Sequence, residues 1–186
     1  MPYEPPPEIA GMSLTQLAQA VADRRLPPVE QWSPQHHGDS GMRIAADGSW
    51  SHDGSHISRP AMVRAFASLL LREDDGQHYL VTPVQKLTIA VEDAAFIATD
   101  AAQNDGALAF RLNTDDLVLA GPDNPLTARG NSETPALYLA VRRGCEARLN
   151  RSTYQQVAQI ALDAATDGSE DWRITSQGAS FSLIPE

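Results

Sequence analysis

The stretch Asp47–Asp93, D-G-S-W-S-H-D-G-S-H-I-S-R-P-A-M-V-R-A-F-A-S-L-L-L-R-E-D-D-G-Q-H-Y-L-V-T-P-V-Q-K-L-T-I-A-V-E-D, carries the clearest structural signals in the chain. Asp47-Gly48 and Asp53-Gly54 favour tight hairpin turns, because Gly and Asp tolerate the positive φ that such turns require. They bracket a short strand at Trp50–His52, with Met42–Ala46 before it and a third strand closing at Ile57. Ser58 is placed to cap a helix that begins at Arg59-Pro60, where a proline in the first turn loses no helical hydrogen bond. Met62, Phe66, Leu69 and Leu70 recur at helical spacing. Asp75-Gly76 ends that unit. His78–Thr82 and Val84–Val91 then read as strands, with Leu87, Ile89 and Val91 alternating. Pro83 has no N–H for a ladder and marks an edge or a bulge.

Upstream, residues 1–11 hold four prolines and read as extended or disordered. Ser13 and Gln16 form a capping-box pattern ahead of a helix over Leu14–Arg25, with Leu14, Leu17, Ala18 and Val21 as its apolar stripe. Pro27-Pro28 stops it, and Trp32 is expected to anchor this arm across the body. Residues 33–41 read as a polar loop. Downstream, Ala95–Thr99 and Leu108–Leu112 flank the turn Asn104-Asp105-Gly106, and Leu117–Leu119 is a further strand. Residues 121–135 read as a loop. Leu137–Val141 and Cys145–Leu149 flank Arg142-Arg143-Gly144. A helix over Arg151–Ala165, capped by Asn150 or Ser152, ends at Asp167-Gly168. Trp172–Thr175 and Ser180–Leu183 form a closing hairpin across Gln177-Gly178.

Two units look alike. At an offset of 92 residues (150 − 58), Ser58 falls on Asn150, Arg59 on Arg151, Asp75 on Asp167 and Gly76 on Gly168. The reading is an α+β fold with a duplicated β-β-α-β-β unit, largely antiparallel sheets and an N-terminal helix. The divisions are an arm at 1–33, a first half at 34–93 and a second half at 94–186. A cleft between halves is where a ligand is expected.

Composition narrows the function. A hydrophobic fraction of 42% supports a packed core. No run reaches the roughly 18 apolar residues of a membrane span. The start Met1-Pro2-Tyr3-Glu4-Pro5 lacks the basic and apolar regions of a secretory signal. The one cysteine, Cys145, excludes an internal disulfide and fits a reducing, cytoplasmic setting. A net charge of −10 argues against general DNA or RNA binding, yet leaves room for a small anion in a local basic pocket.

Arg59 and Arg151 open their helices, where free N–H groups favour anions and a guanidinium adds a forked donor. Either can instead pair with carboxylates such as Asp53, Glu92 or Asp93. Lys86 is the only lysine beside thirteen arginines. On one strand it would share a face with Thr82, giving an ammonium and a hydroxyl for an anion, or simply a solvated edge. Trp50 is available for stacking, or is a core aromatic. His36, His37, His52, His56 and His78 match no zinc spacing, so no metal is expected, and no cofactor. Gly38-Asp39-Ser40-Gly41 is similar to the nucleophile loop of trypsin-like proteases, but too few residues precede it for that fold's first barrel. No phosphate-binding glycine loop or G-x-S-x-G elbow occurs. Cys145 lies between Arg143 and Arg148, which would lower its pKa, or is a small strand residue.

The motifs G-S-W at 48–50, G-S-H-I-S-R at 54–59, F-A at 66–67, Y-L-V-T-P-V-Q-K at 79–86, V-E-D-A-A-F at 91–96 and N-R-S-x-Y at 150–154 resemble the bacterial domain-of-unknown-function family numbered 1285. Gln85 stands where that pattern leads us to expect glutamate, and Ala95 where it leads us to expect proline. The resemblance implies a duplicated two-part fold whose C-terminal half is loosely pleckstrin-homology-like. It also implies a pocket between the halves for a nucleotide-like ligand and a role in signal transduction. The functional expectation is therefore non-catalytic binding of an anionic ligand through Arg59, Lys86, Thr82, Trp50 and Arg151. The alternative is a protein–protein adaptor that uses the N-terminal arm and an exposed strand edge at Pro83.

Overall fold

A computed structural model of the chain describes residues 8–165 and 172–186. The arm opens with a single 3-10 turn at Ile9–Gly11, followed by α1, Leu14–Asp23. The capping box forms as the sequence predicts. Gln16 N–H donates to Ser13 Oγ at 3.2 Å, and Ser13 N–H donates to Gln16 Oε1 at 2.8 Å. Residues 9–11 are not extended but form the 3-10 turn, and Ile9 is fully buried and joins Met12, Leu17 and Ala109 in a small apolar cluster. Burying one such side chain is worth about 1.5–3 kcal/mol. Trp32 is half-buried and belongs to neither core cluster, and Val29 is the buried residue of that segment. The extended reading of residues 1–7 lies outside the described residues.

The first sheet contains β1 (His36–Ile44), β2 (Trp50–His52) and β3 (Ser55–His56), then, after α2 (Pro60–Ala67), β4 (Leu70–Arg72), β5 (His78–Val81) and β6 (Gln85–Val91). Its order is β3-β2-β1-β6-β5-β4, with β1 and β6 parallel and the other neighbours antiparallel. The polar segment expected as a loop is thus most of β1. A bulge between Asp39 and Arg43 breaks its register, with Gly41 at φ +69. Ser40 fills the gap. Its Oγ donates to the Thr88 carbonyl at 2.8 Å and accepts from Met42 N–H at 3.0 Å. Ser58 does not cap α2; Arg59 holds the N-cap position and no side chain closes it. The helix stops before Ser68, so Leu70 reaches the core from β4 rather than from the helical stripe. Pro83 lies in the turn between β5 and β6, which are interior strands, so it marks neither an edge nor a bulge.

The second sheet contains β7 (Phe96–Asn104), β8 (Ala107–Leu112), β9 (Leu117–Leu119), β10 (Leu126–Gly130), β11 (Pro135–Arg142) and β12 (Cys145–Leu149). The expected loop at 121–135 therefore contains a strand. α3, Arg151–Ala164, follows, with Asn150 Oδ1 accepting from Thr153 N–H at 2.9 Å. β13 (Arg173–Ser176) and β14 (Ala179–Ser182) form a separate ribbon. The sheet order is β10-β11-β12-β7-β8-β9, with β12 parallel to β7.

The duplication is visible in these orders. Numbered within its own half, each six-stranded sheet runs third, second, first, sixth, fifth, fourth, with first and sixth parallel. The helices are not equivalent: α2 joins the third strand to the fourth, whereas α3 follows the sixth. An offset that lays helix on helix therefore pairs strands that occupy different sheet positions. Asp167 and Gly168 lie outside the described residues.

One apolar core crosses the boundary, joining Trp50, Leu70 and Ile89 to Phe96, Phe110 and Leu137. The turn at Arg142-Arg143-Gly144 is the polar side of that joint. Arg143 holds φ +51, and its guanidinium donates to the Ser68 carbonyl at 2.8 Å, pairs with Glu30 at 2.6 Å and donates to the Pro27 carbonyl. Arg72 N–H donates to the Arg143 carbonyl at 2.9 Å. A side chain in place of Gly144 would run into the Arg72 carbonyl.

Candidate functional site

Period-two alternation puts Met42 and Ile44 of β1, Leu87 and Ile89 of β6, and Leu80 of β5 on one face of the first sheet. α2 packs over part of this face, with Phe66 stacked on Trp50 at 6.4 Å between ring centroids. Because the helix has only eight residues, it leaves the rest uncovered. The result is a groove of about 710 Å³. Met42, Met62, Phe66, Leu69, Leu80 and Leu87 are its apolar lining, and its polar rim includes His52, Asp53, His56, Arg59, Thr82 and Gln85. Met62 is 41% exposed there.

The structure divides the five residues named from sequence among different places. Arg59 lies on the groove rim and is exposed. Its guanidinium makes no hydrogen bond or ion pair among the described residues. The carboxylates expected as its alternative partners are engaged elsewhere: Glu92 meets Arg43 at 3.2 Å, Asp93 meets Arg148 at 2.7 Å, and Asp53, also on the rim, faces His52 at 3.5 Å. Thr82 is on the rim too, but its Oγ1 accepts from Gln85 N–H at 3.0 Å and so shapes the turn. Lys86 is on the opposite face of the sheet, paired with Glu73 and 4.4 Å from the Tyr79 ring centroid. Trp50 is 1% exposed and offers a ligand no stacking surface. Arg151 opens α3 in another cleft of about 530 Å³, where Ala46 and Asp47 of the first half face Arg148, Asn150 and Tyr154 of the second. Arg151 likewise makes no hydrogen bond or ion pair among the described residues.

Sequence reasoning missed the groove floor. The apolar alternation was legible, but an open floor depends on where a helix stops above it. His52 and His56 lie on the groove rim, and among the described residues no three His, Cys, Asp or Glu side chains converge.

Burial prevails at two further titratable groups, Cys145 and His78, and is outweighed at a third, Asp116. It pushes the Cys145 thiol up to about 11, against the opposing charges of Arg142, Arg72 and Arg143, and this cysteine packs in the core at the start of β12. It pushes His78 down to about 4, with Arg72 acting in the same direction and Glu146 against it. Burial opposes ionisation of Asp116, yet Arg142, the Thr114 hydroxyl and Arg24 together hold its carboxyl below the usual range.

These features define a two-domain α+β protein whose halves are duplicates in strand order. The chain belongs to the DUF1285 family. Residues 27–94 match the family model described as "Domain of unknown function (DUF1285), N-terminal domain", and residues 95–183 match "Protein of unknown function (DUF1285), C-terminal domain". The chain is similar to the crystal structure of a DUF1285 family protein from Silicibacter pomeroyi DSS-3, with TM-score 0.76 and 37% identity over 93% of this chain and 95% of that one. A DUF1285 family protein from Shewanella baltica OS155 shares the fold, with TM-score 0.53 and 24% identity over 64% of this chain and 91% of that one. No curated protein matches the chain. Among the described residues, no helix is long and apolar enough to cross a membrane.

Proposed function

We propose that this protein binds an amphipathic anion in the groove beneath α2. The apolar body of the ligand would lie on Met42, Leu80 and Leu87, and its carboxylate or phosphate would meet Arg59. The observation that carries this reading is the exposed guanidinium of Arg59, without a partner among the described residues, at the mouth of an apolar groove. A forked donor beside an apolar surface selects a ligand with both characters. The floor is mainly aliphatic and thioether, with Phe66 its only ring, which favours a flexible chain over a stacked purine. The role is that of a ligand sensor, in the signalling setting that the resemblance implies. The adaptor reading has less support: Ile9, Met12 and Leu17 are buried within this chain, and Pro83 is not at a sheet edge.

Calorimetric titration with decanoate, decanol and adenosine monophosphate tests the reading. Decanoate should bind saturably and more tightly than the other two. Arg59→Gln should weaken it roughly tenfold, in line with about 1.5 kcal/mol for a charge-assisted bond. Absence of saturable decanoate binding, or equal affinity in the variant, would overturn the groove assignment. Tighter binding of the nucleotide would overturn the ligand class.

A further inference from the structure

A separate cavity of about 360 Å³ lies between the arm and the second half, walled by Val21, Arg24, Asp116, Asn124 and Arg142 among others. Asp116 is the hub of its charged wall, with a side chain only 2% exposed. It accepts from Arg24 Nε at 2.6 Å and from the Thr114 hydroxyl at 2.7 Å. Arg64 also approaches it, at 3.6 Å.

Arg142 is served less well. Its Nη1 and Nη2 reach Asp116 Oδ2 only at 3.4 Å, and Nη2 reaches the Ala67 carbonyl at 3.4 Å. Charge-assisted bonds of this kind usually measure about 2.7–2.9 Å. Arg142 Nε and Arg24 Nη2 are buried without a hydrogen-bond partner. The Arg142 side chain is 15% exposed, and the Phe96 ring, 4.9 Å from its guanidinium carbon, cannot replace an acceptor. Two guanidiniums on a cavity wall thus share one buried carboxylate, and buried charge with poor hydrogen bonds is costly. Burial lowers the Arg142 pKa, with Asp116 opposing and Arg24 adding to the fall, as expected of an under-compensated cation. Asp123 also lines the cavity from an exposed loop, and it would keep affinity for an anion modest.

We infer that this cavity binds a small tetrahedral oxyanion, either inorganic phosphate or the phosphate of a monoester, between Arg24 and Arg142. The forked geometry of arginine matches such an ion, which would supplement the long 3.4 Å contacts that the Arg142 Nη atoms make to Asp116. The site is independent of the groove.

Titration of the full chain with inorganic phosphate and with glycerol phosphate, against chloride at matched ionic strength, tests the inference. Saturable phosphate binding with a rise in Tm is expected. Arg24→Gln should weaken it at least tenfold, while Arg59→Gln leaves it unchanged. Glycerol phosphate bound as well as phosphate identifies a monoester site; phosphate bound alone identifies a free-ion site. Should Arg24→Gln fail to fold by circular dichroism, Arg24→Lys keeps the charge and removes the fork, and at least a threefold loss is expected. No saturable binding beyond chloride, or wild-type binding in a folded Arg24 variant, would overturn the inference.

Discussion

His78, half-buried on β5, titrates only near pH 4, because burial and the charge of Arg72 both oppose its protonation. The ordinary histidine value of 6.5 applies to the unfolded chain, which therefore takes up the proton first as pH falls. The stability contributed by neutral His78 is present above pH 6.5 and is lost as pH falls from there to about 4. The carboxylate of Asp116, which despite burial is held below the usual carboxylate range by Arg142, Thr114 and Arg24, loses its contribution only at lower pH. Thermal melts should show Tm falling between pH 6.5 and 4, and His78→Gln should flatten that part of the profile. An unchanged slope in the variant would assign the effect to other groups. Residue chemistry was only partly legible in the sequence. For Cys145, two neighbouring arginines and burial argue in opposite directions, and only the packed structure shows that burial prevails. For Arg59, sequence proximity named three carboxylates, and the fold gave each of them a different partner.

At the scale of elements, two of the three helix caps are legible in the sequence, Ser58 as the cap of α2 is not, and neither is distant strand pairing. Ser13 with Gln16, and Asn150 with Thr153, cap their helices because every atom required lies within three residues. Residues 36–41 of β1, and β10, are illegible in the sequence because these glycine-bearing segments become strands only through β6 and β11, whereas the end of β1 at Met42–Ile44 is legible. The same holds for β4, whose leucines continue the helical spacing of α2 until β5 claims them. Thr82 organises the turn that aligns β5 with β6, accepting from Gln85 and Val84 N–H groups. Thr82→Val keeps the shape and removes the acceptor. It should cost about 1 kcal/mol in chemical denaturation at an unchanged m-value. A neutral result would mean that the turn is held by its backbone bond from Thr82 N–H to the Gln85 carbonyl alone.

For the whole molecule, turn signals made the duplication visible, but they could not fix its register. That register depends on β1 pairing with β6 and β7 with β12, contacts between the ends of each half. The joint at Arg143, which ties the second half to Ser68, Pro27 and Glu30, was likewise read only as a turn. The functional consequence is that the groove belongs to the first half alone, while Arg151 and Lys86 lie elsewhere. Backbone amide shifts followed through a decanoate titration test that placement most directly. Saturable shifts should appear at Ser55–Arg59, at Met62–Leu69 and at Thr82–Leu87, and they should be absent from β10 to β12. Shifts centred instead on Asp47 and Asn150–Tyr154, or shifts without saturation, would contradict a ligand groove beneath α2.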